Sequence, residues 1–227
     1  AGVCARREAE DLLRQHRGRV NGQLATSGDQ ADLNLDTIEV DGRPLQKAPP
    51  ARVLLLNKPA GVISSCRDPQ GRRTVLELVP ADLREGLHPV GRLDAESRGA
   101  LLLSNQGELT LKLTHPRYNH HKTYRVTVAG LPDAEQLNQW RRGVVLDGTV
   151  TRPAEVKLLK GTPQTSVLKV ILREGRNRQI RRIALALGHR VLDLQRIAIG
   201  DLTLGSMREG CWRELSRQEW SRLGSTQ

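Results

Sequence analysis

A proline-rich stretch divides this sequence into a short and a long segment. Three prolines fall within residues 44–51, and proline favours extended connections over helices and central strands. Residues 1–43 carry a helical pattern and two short strand patterns, with turn signals at Asn21-Gly22 and Asp41-Gly42. The sequence therefore predicts a small helix-plus-hairpin module at residues 1–43, a linker at residues 44–51 and a larger domain at residues 52–227.

The long segment mixes strand and helix patterns without a regular β-α-β order. Helix patterns cover residues 107–113, 133–140 and 177–187, with Asp133 and Asn177 as N-cap residues. Strand patterns are more numerous, and they cover residues 53–57, 101–103, 124–128, 155–159, 167–172, 190–194 and 197–199. This arrangement predicts an α+β fold with a mixed but mainly antiparallel sheet.

Several kinds of protein are disfavoured by what the sequence lacks. No apolar run approaches the roughly 18 residues of a membrane-spanning helix, and the first ten residues are too polar for a signal peptide. The three cysteines, Cys4, Cys66 and Cys211, are odd in number and far apart. This argues against a disulfide framework and a zinc site. The pattern predicts a cytoplasmic protein that does not bind membranes.

The charge of the chain indicates a polyanionic partner. Lysine and arginine number 36 against 25 aspartate and glutamate, a formal net charge of +11. The excess is uneven, because residues 1–50 carry seven basic and eight acidic residues whereas residues 161–200 carry eight basic and two acidic ones. Nucleic acid is the usual partner of such a basic stretch, although a solvated basic surface has the same composition.

The signatures of common cofactor sites are absent. The sequence has no Walker A loop, no G-x-G-x-x-G and no G-x-S-x-G motif, and the pair His120-His121 lacks carboxylate or cysteine support for a metal site. We therefore expect neither a cofactor nor a metal ion. Aromatic residues are also scarce, with no Phe, two Tyr and three Trp. Bases would therefore stack at one or two positions and not along a broad platform.

The first candidate for chemistry is the run HPVGRLD at residues 88–94, which precedes the apolar stretch at residues 101–103. In an extended loop, the side chains of Arg92 and Asp94 point the same way because they are two residues apart. Asp94 is either a catalytic carboxylate or a turn residue that bonds its own backbone. Turns are rich in aspartate, so the local sequence alone favours the turn.

The second candidate is the strand pattern that begins Lys122-Thr123-Tyr124. Tyr124 either stacks on a nucleic-acid base or fills the core, as aromatic residues in strands commonly do. Without further context the core is favoured.

The third candidate is the helix at residues 177–187, which has an apolar stripe and a separate basic cluster. The stripe consists of Ile180, Ile183, Ala184 and Leu187, and the cluster consists of Arg178, Arg181 and Arg182. A solvated face is the default for helical charges. Here, however, no acidic residue is interleaved, and like charges at helical spacing repel by a few tenths of a kcal/mol per pair, so an anionic partner would relieve the repulsion.

Together these segments resemble the pseudouridine synthases of the RsuA/RluB branch, which act on ribosomal RNA. The matching segments are LNKPAGVIS at residues 56–64, GRLD at 91–94, KTY at 122–124 and EGRNRQIRR at 174–182. Their order and spacing make the resemblance specific, and it covers almost the whole chain. The wording NRQ at residues 177–179 is closer to the large-subunit, RluB-like group. The family pattern differs mildly at Ser97, at Ala100 and at residues 104–106.

The first 43 residues resemble an S4 RNA-binding domain, which this family often carries at its N-terminus. The match runs from Cys4 to Gly22, and we expect the beginning of the module's first helix to be missing. Because the module is close to neutral, an arginine patch and not bulk charge would guide its RNA binding. The patch consists of Arg6, Arg7, Arg14, Arg17 and Arg19.

The resemblance implies that Asp94 is the catalytic residue, acting on a uridine that has left its stack. Burial disfavours a charged carboxylate, and by resemblance Arg181 is the cation that keeps Asp94 ionised. Tyr124 would stack on one face of the base and Ile180 would border the other, while Arg92 would hold the vacated position or a neighbouring phosphate. The remaining RNA-binding residues of the catalytic domain would be Lys122, Arg176, Arg178 and Arg182.

The sequence therefore predicts a monomeric enzyme that converts a uridine of ribosomal RNA, free or in a subunit assembly intermediate, to pseudouridine. One alternative is a non-catalytic RNA-binding or ribosome-assembly protein with the same fold. The set of Asp94, Tyr124 and Arg181 argues against it, since binding alone needs no such acid. A nuclease is the weaker alternative, because neither paired metal-binding carboxylates nor a catalytic His pair is evident.

Overall fold

The structure, a computed structural model, describes residues 6–32, 35–45 and 49–224. The chain forms two compact units, one of residues 1–51 with 84–86 and one of residues 52–83 with 87–227. In the part of the chain that is described, every helix is too short or too polar to cross a membrane.

The smaller unit contains one helix, α1 (Arg6–Arg14), and a four-stranded antiparallel sheet. The strands are β1 (Gly18–Val20), β2 (Gln23–Leu24), β3 (Ile38–Val40) and β4 (Arg43–Pro44), in the order β2-β1-β3-β4. Positive φ angles at Asn21-Gly22 and Asp41-Gly42 confirm the two predicted tight turns.

The apolar spacing of Ala9, Leu12 and Leu13 predicts a helix over residues 6–17 that Gly18 ends, but α1 already ends at Arg14. The helix ends because His16 adopts a left-handed conformation, with φ of 58°. The N–H of His16 donates to the carbonyl of Leu13 and the N–H of Arg17 to that of Leu12. These two bonds form a Schellman motif, which usually requires glycine at the position of His16. The sequence therefore gave no signal for this earlier end.

The larger unit contains the other described strands and helices. Its strands are β5 (Val53–Lys58), β6 (His88–Val90), β7 (Arg98–Ser104), β8 (Lys122–Ala129), β9 (Val145–Leu146), β10 (Thr149–Val150), β11 (Glu155–Gly161), β12 (Thr165–Leu172), β13 (Val191–Ile199), β14 (Leu202–Thr203) and β15 (Trp212–Glu214). Its α-helices are α2 (Gly107–Thr114), α3 (Ala134–Arg142), α4 (Gln179–Ala186) and α5 (Arg217–Gly224).

A single large sheet organises this unit. Within the described residues, the strand order is β11-β12-β8-β13-β7-β5-β15, with β14 paired to β13 and β6 paired to β7. All of its strand pairs are antiparallel except β13 with β7, which are parallel at Gln195↔Arg98 and Arg196↔Gly99. The predicted α+β class with a mixed, mainly antiparallel sheet is confirmed.

The core lies on both faces of this sheet, which explains the apolar runs in β5 and β7. Leu54 and Leu56 point into a cluster that also contains Trp140 and Ile183 from α3 and α4. The alternate residues of the same strands pack into a second cluster, in which Val53 and Leu55 meet residues of α2 and α5. A strand covered on both faces has no polar side, so its sequence is continuously apolar.

The sequence misplaced two elements that border the site described below. The predicted strands at residues 190–194 and 197–199 are one strand, β13, whose Arg196 is 3% exposed and interrupts the apolar pattern without interrupting the strand. Asn177 does not cap α4. The N-cap is Arg178, in a left-handed conformation (φ 50°, ψ 30°), and the side chain of Gln179 accepts the N–H of Arg176 at 3.1 Å.

Candidate active site

Asp94 lies in a turn between β6 and β7, and hydrogen bonds from the buried Lys58 hold this turn in place. The Nζ of Lys58 donates to the carbonyls of Ser97 at 2.7 Å, Pro59 at 2.9 Å and Ala95 at 3.3 Å. Burial lowers the pKa of Lys58 to about 8, and the nearby Asp94 carboxylate opposes this shift. Lys58 is therefore a site residue that sequence reasoning missed, since it was noted only as part of the family lead-in.

The backbone of the turn is held by further hydrogen bonds. The Ser64 hydroxyl donates to the carbonyl of Leu93 at 2.9 Å and accepts its N–H at 3.1 Å. The N–H of Ser97 donates to the carbonyl of Asp94 at 3.0 Å. The backbone carbonyl of Asp94, and not its side chain, thus accepts the hydrogen bond that closes the turn. The carboxylate is therefore available for other contacts.

The Asp94 carboxylate faces two arginines of the loop and helix that carry the EGRNRQIRR segment. Nη1 of Arg178 lies 3.6 Å from Oδ2 of Asp94, and Nη2 of Arg178 donates to Glu96 at 3.2 Å. Nη2 of Arg181 donates to the Ser97 hydroxyl at 3.2 Å, and its Nη1 lies 3.7 Å from Glu96. The carboxylates of the turn and these guanidinium groups form one network.

This geometry differs from the expected buried pair of Asp94 and Arg181. The side chain of Asp94 is 35% exposed, and Arg178 makes the ion pair that was expected of Arg181. Arg178 is the N-cap of α4 and has a left-handed backbone conformation. Arg181 lies one helical turn further on and reaches Ser97 and Glu96 instead.

A cavity of about 300 Å³ brings the predicted residues together. Its walls include Arg92, Asp94, Tyr124, Arg176, Arg178 and Ile180. Tyr124 is 8% exposed and Ile180 is 4% exposed, and both also belong to the core. The two interpretations of Tyr124 are therefore compatible, because its ring packs in the core and also lines the cavity.

Arg176 and Arg182 connect the cavity to the hairpin of β9 and β10. Arg176 donates to the carbonyls of Thr149 at 3.0 Å and Val150 at 2.8 Å. Arg182 makes two hydrogen bonds, of 2.6 and 2.9 Å, to the carboxylate of Asp147, and this contact lowers the pKa of Asp147. Both arginines thus have protein partners and hold the hairpin beside α4.

Comparison with known proteins identifies the family to which this arrangement belongs. The family model of RNA pseudouridylate synthases matches residues 52–186, a range that includes Asp94, Tyr124 and Arg181. The chain belongs to this family. The pseudouridine synthases are isomerases, and this chain is an isomerase of the same kind.

Named relatives match over nearly the whole chain. Ribosomal large subunit pseudouridine synthase B of Bacillus subtilis (strain 168) is 40% identical over 225 residues, covering 98% of this chain and 91% of the relative. The dual-specificity RNA pseudouridine synthase RluF of Escherichia coli (strain K12) is 35% identical over 221 residues, covering 96% and 73%. A crystal structure of a pseudouridylate synthase superposes with a TM-score of 0.73 at 30% identity, covering 96% of this chain and 94% of that one.

The other residues predicted to bind RNA in this pseudouridine synthase are Lys122 and the arginines of the smaller unit. Lys122 lines a neighbouring cavity, and its Nζ donates to the carbonyl of His120 at 3.3 Å. In the smaller unit, Arg14 pairs with Asp11 at 2.7 Å and Arg17 with Asp41 at 2.6 Å. Arg19 donates to the carbonyl of Gly22 at 2.8 Å. The side chains of Arg6 and Arg7 lie outside the described part of the structure.

Two further polar residues shape the cavity and were not singled out from the sequence. Glu174 accepts from Gln179 Nε2 at 2.6 Å and from the backbone N–H of Arg152 at 2.9 Å. Gln179 is 3% exposed. The two side chains hold the loop before α4 in place. The family segment at residues 174–182 contains both, so its polar, non-arginine positions were the available signal.

Proposed function

We propose that this enzyme isomerises a specific uridine of ribosomal RNA to pseudouridine, with Asp94 as its catalytic residue. The observation that carries the proposal is the Asp94 carboxylate on the wall of a cavity of about 300 Å³ whose other walls include Tyr124 and Ile180. A flipped base needs a pocket in which it is stacked and read, and the reaction needs an acid beside its sugar.

The reaction requires little beyond such a carboxylate. Pseudouridine formation breaks the N-glycosidic bond, turns the uracil and rejoins it to the ribose through carbon. Substrate and product contain the same atoms, so the reaction consumes neither an oxidant nor an energy source. A carboxylate beside the ribose and the base acts as nucleophile or base, and Asp94 supplies it. The proposed mechanism therefore uses no cofactor.

Tyr124 and Ile180 offset the cost of taking the uridine out of its stack. Flipping a nucleotide costs a few kcal/mol, and one aromatic stacking contact contributes about 1–3 kcal/mol. In the proposal, Tyr124 stacks on one face of the uracil and Ile180 borders the other. Arg92, which is exposed at the rim of the cavity, holds the vacated position or a neighbouring phosphate.

The two arginines near the turn have different proposed roles. Arg178 places a positive charge 3.6 Å from the Asp94 carboxylate. Arg181 contacts the Ser97 hydroxyl and Glu96, and it acts on Asp94 through the turn that these residues form. Arg181 is therefore a positioning residue in this proposal, and Arg178 takes the electrostatic role.

Large-subunit ribosomal RNA is the proposed substrate class, either free or in an assembly intermediate. The wording NRQ at residues 177–179 and the 40% identity to an enzyme named for the large subunit support this choice. Phosphates around the target uridine would be bound by four basic residues, of which Arg176 and Arg178 line the cavity. The four residues are Lys122, Arg176, Arg178 and Arg182.

We also propose an S4-like RNA-binding module at residues 1–43, joined through residues 44–51 to the catalytic domain at residues 52–227. The exposed arginines of the smaller unit, Arg14, Arg17 and Arg19, support RNA binding by this module. The proposal places the enzyme in the cytoplasm as a monomer. The free cysteines Cys66 and Cys211 are compatible with that reducing compartment.

The proposed function is tested by mapping pseudouridines in unmodified large-subunit ribosomal RNA after incubation with the enzyme. We expect one new pseudouridine with the parent enzyme and none with Asp94→Ala. The matched control is Asp82→Ala, which removes an exposed acid of a short 3-10 helix away from the cavity, and it should give the parent's product.

Two outcomes would contradict the proposal. Product formed equally by Asp94→Ala would remove Asp94 from the chemistry. No product on free RNA or on assembly intermediates, together with tight and salt-sensitive binding, would leave an RNA-binding protein that has kept the fold.

A further inference from the structure

A second cavity, of about 180 Å³, adjoins the Asp94 cavity. The two cavities share wall residues, among them Gly91, Arg92 and Tyr124. The floor of the second cavity is apolar, with Val90, Leu102, Leu113 and Ile199 in its lining. Its polar lining is mainly basic, and the proposed mechanism at Asp94 uses neither Arg196 nor His120.

Arg196 is the most buried of these basic groups. It is 3% exposed, and its Nε donates to the carbonyl of Ala100 at 2.6 Å. Its Nη2 is also buried, and it has no hydrogen-bond partner among the described residues. The backbone of Arg196 pairs with Gly99 in the neighbouring strand, so the position of this guanidinium is set by the centre of the sheet. A buried guanidinium N–H without an acceptor is costly.

Lys122 and His120 face the same cavity. Burial lowers the pKa of Lys122 to about 8, with a further lowering from the charge of Arg196. The Nε2 of His120 is buried without a partner among the described residues, and burial also lowers the pKa of His120, with smaller effects of Lys122 and His121. The cavity therefore concentrates hydrogen-bond donors and positive charge that repel one another.

The remaining charged and titratable groups of the lining do not compensate this charge. They are Arg92, His115, Tyr124, Arg173 and Glu174. Glu174 is the single acid among them, and its oxygens are engaged by Gln179, by the N–H of Arg152 and by Arg176. The charge of the cavity lining is thus positive, in a place where an apolar floor strengthens electrostatic interactions.

We propose that this cavity is an anion subsite that binds a phosphate group, and that its occupant during the reaction is a backbone phosphate of the RNA next to the flipped uridine. The occupant rests on the proposed function, because the shared walls put the phosphate beside the base cavity. Arg196 and Lys122 are the principal ligands of the phosphate, and His120 is a further hydrogen-bond donor. A free phosphate ion has the same chemistry and is distinguished from the RNA by experiment.

In the free enzyme, the repulsion between these cations and the N–H of Arg196 that is unpaired among the described residues are unfavourable, and a bound phosphate would offset both. A buried cation, Arg196, and a partly buried cation, Lys122, repel each other in the free enzyme. A bound anion would supply the missing acceptor and raise the pKa of Lys122. Phosphate binding therefore takes up protons near pH 8, and RNA affinity should fall as the pH rises from about 7.5 to about 9.

The first test is the salt dependence of RNA binding by Lys122→Gln. The probe is a synthetic stem-loop of large-subunit ribosomal RNA chosen by its affinity for the parent enzyme, so that it is available whether or not a pseudouridine is formed. Loss of one phosphate contact should reduce the slope of log affinity against log salt by about 0.7–0.9 and weaken binding about tenfold. The matched control, Lys160→Gln, removes an exposed lysine of β11 and should keep the parent slope. An equal reduction in both variants would overturn the proposal.

The second test locates the phosphate by replacing single linkages of the stem-loop with uncharged methylphosphonates. One linkage beside the target uridine should cost the parent about tenfold in affinity and Lys122→Gln less than twofold. Equal losses in parent and variant at every linkage would overturn the assignment to the RNA backbone. Isomerisation by the parent is scored separately, so a phosphate subsite without pseudouridine formation would refute the proposed function alone.

The third test uses inorganic phosphate with the enzyme alone, at an ionic strength held constant with chloride. The parent should show a saturable rise in Tm that Lys122→Gln lacks, while the variant should have the higher Tm without phosphate because the repulsion is gone. A saturable rise in Tm, together with equal methylphosphonate effects in parent and variant, would show that the site binds free phosphate. It would overturn the assignment of the RNA backbone as the occupant. Identical phosphate responses in parent and variant would overturn the subsite itself.

Discussion

At the residue scale, Lys58 shows how one buried charge can fix a functional turn. Its ammonium group is inaccessible to solvent, yet it donates to three carbonyls, two of them within residues 94–97. A buried cation is tolerated only when its hydrogen bonds are satisfied, and here two of the three acceptors belong to the turn that presents Asp94. The position of the candidate carboxylate therefore depends on the end of β5, and the sequence pattern gave no hint of that dependence.

Gly99 is a residue at which a small substitution should have a large effect on stability. It has a φ of 109°, and a Cβ there would collide with the backbone of Arg196 in β13. We expect Gly99→Ala to lower the free energy of unfolding by about 2–4 kcal/mol, from backbone strain and overpacking together. Urea unfolding measures this change.

The control for this prediction is Gly107→Ala. Gly107 begins α2, has no positive φ, and a Cβ there meets no atom within 4 Å. Alanine at this position should be neutral or stabilising by up to about 1 kcal/mol. Equal destabilisation by both substitutions would show that the contact between Gly99 and β13 is not the cause.

Two substitutions of Tyr124 separate its role in stacking from its role in core packing. Tyr124→Phe keeps the ring. It should change the equilibrium constants for unfolding and for RNA binding by less than about threefold. Tyr124→Leu removes the ring and should weaken RNA binding about tenfold or more, the value of one stacked base. Fluorescence anisotropy with a labelled stem-loop measures the RNA affinity of both variants. Unchanged affinity in the Leu variant would exclude stacking by Tyr124.

At the element scale, one row across the large sheet carries like charges side by side. Lys157 of β11 lies opposite Lys169 of β12, which lies opposite Arg125 of β8, and all three side chains are exposed. Like charges directly opposite one another destabilise a sheet. The repulsion between these side chains therefore lowers the stability of this half of the sheet.

Lys169→Thr should consequently raise the free energy of unfolding, by about 0.5 kcal/mol. The control is Lys160→Thr, because Lys160 is also exposed but lies opposite Val167, so the same change of residue type relieves no repulsion. Thermal and urea unfolding at low salt measure the difference between the two variants. A difference that does not shrink at high salt would contradict an electrostatic cause.

Much of the element pattern could be predicted, because apolar periodicity reflects burial directly. The strands β5, β7, β8 and β12 and the capping of α3 by Asp133 follow from local sequence. The strands β6 and β15 could not be predicted, since β6 contains Pro89 and each is only three residues long. Such short strands depend on their neighbours in the sheet and not on their own residues.

The motifs indicated which residues line the candidate site, but they did not indicate the individual contacts between these distant segments. Asp94, Tyr124 and Ile180 share a cavity, as the motifs indicated. Asp94 pairs with Arg178 and not Arg181, and Arg178 has a left-handed conformation, which is rare for arginine and has no signal in the sequence. Arg196 was missed because a buried arginine in a strand looks like the end of that strand.

At the scale of the whole molecule, the positive charge of the chain is partly internal. Lys58 and Lys122 each have a pKa lowered to about 8, with burial as the main cause. The free protein thus holds cations in places where water cannot solvate them fully. An RNA-binding protein gains from this arrangement, since a charge that is costly in the free state binds an anion more strongly.

The same lysines determine how stability depends on pH. Each binds its proton more weakly in the folded chain, where the pKa is about 8, than in the unfolded chain, where it is near 10.4. The unfolded chain therefore holds more protons between these values, and the free energy of unfolding should rise with pH across that window.

Urea unfolding at about pH 7.5 and about pH 9.5 measures this rise. Lys122→Gln removes one of the two lysines, so the variant should show a smaller increase than the parent over the same interval. The difference between the two proteins isolates Lys122 from other groups that titrate there. An equal or larger increase in the variant would contradict the burial of this ammonium group.

The most direct test of the account is the single-turnover rate of pseudouridine formation by Asp94→Asn. Asparagine keeps the shape of the side chain but removes its charge and its nucleophilic oxygen. We predict that the rate falls by more than about 10³-fold, while affinity for the stem-loop and the free energy of unfolding stay close to those of the parent. A variant that forms pseudouridine at a rate within tenfold of the parent would contradict the central role of Asp94.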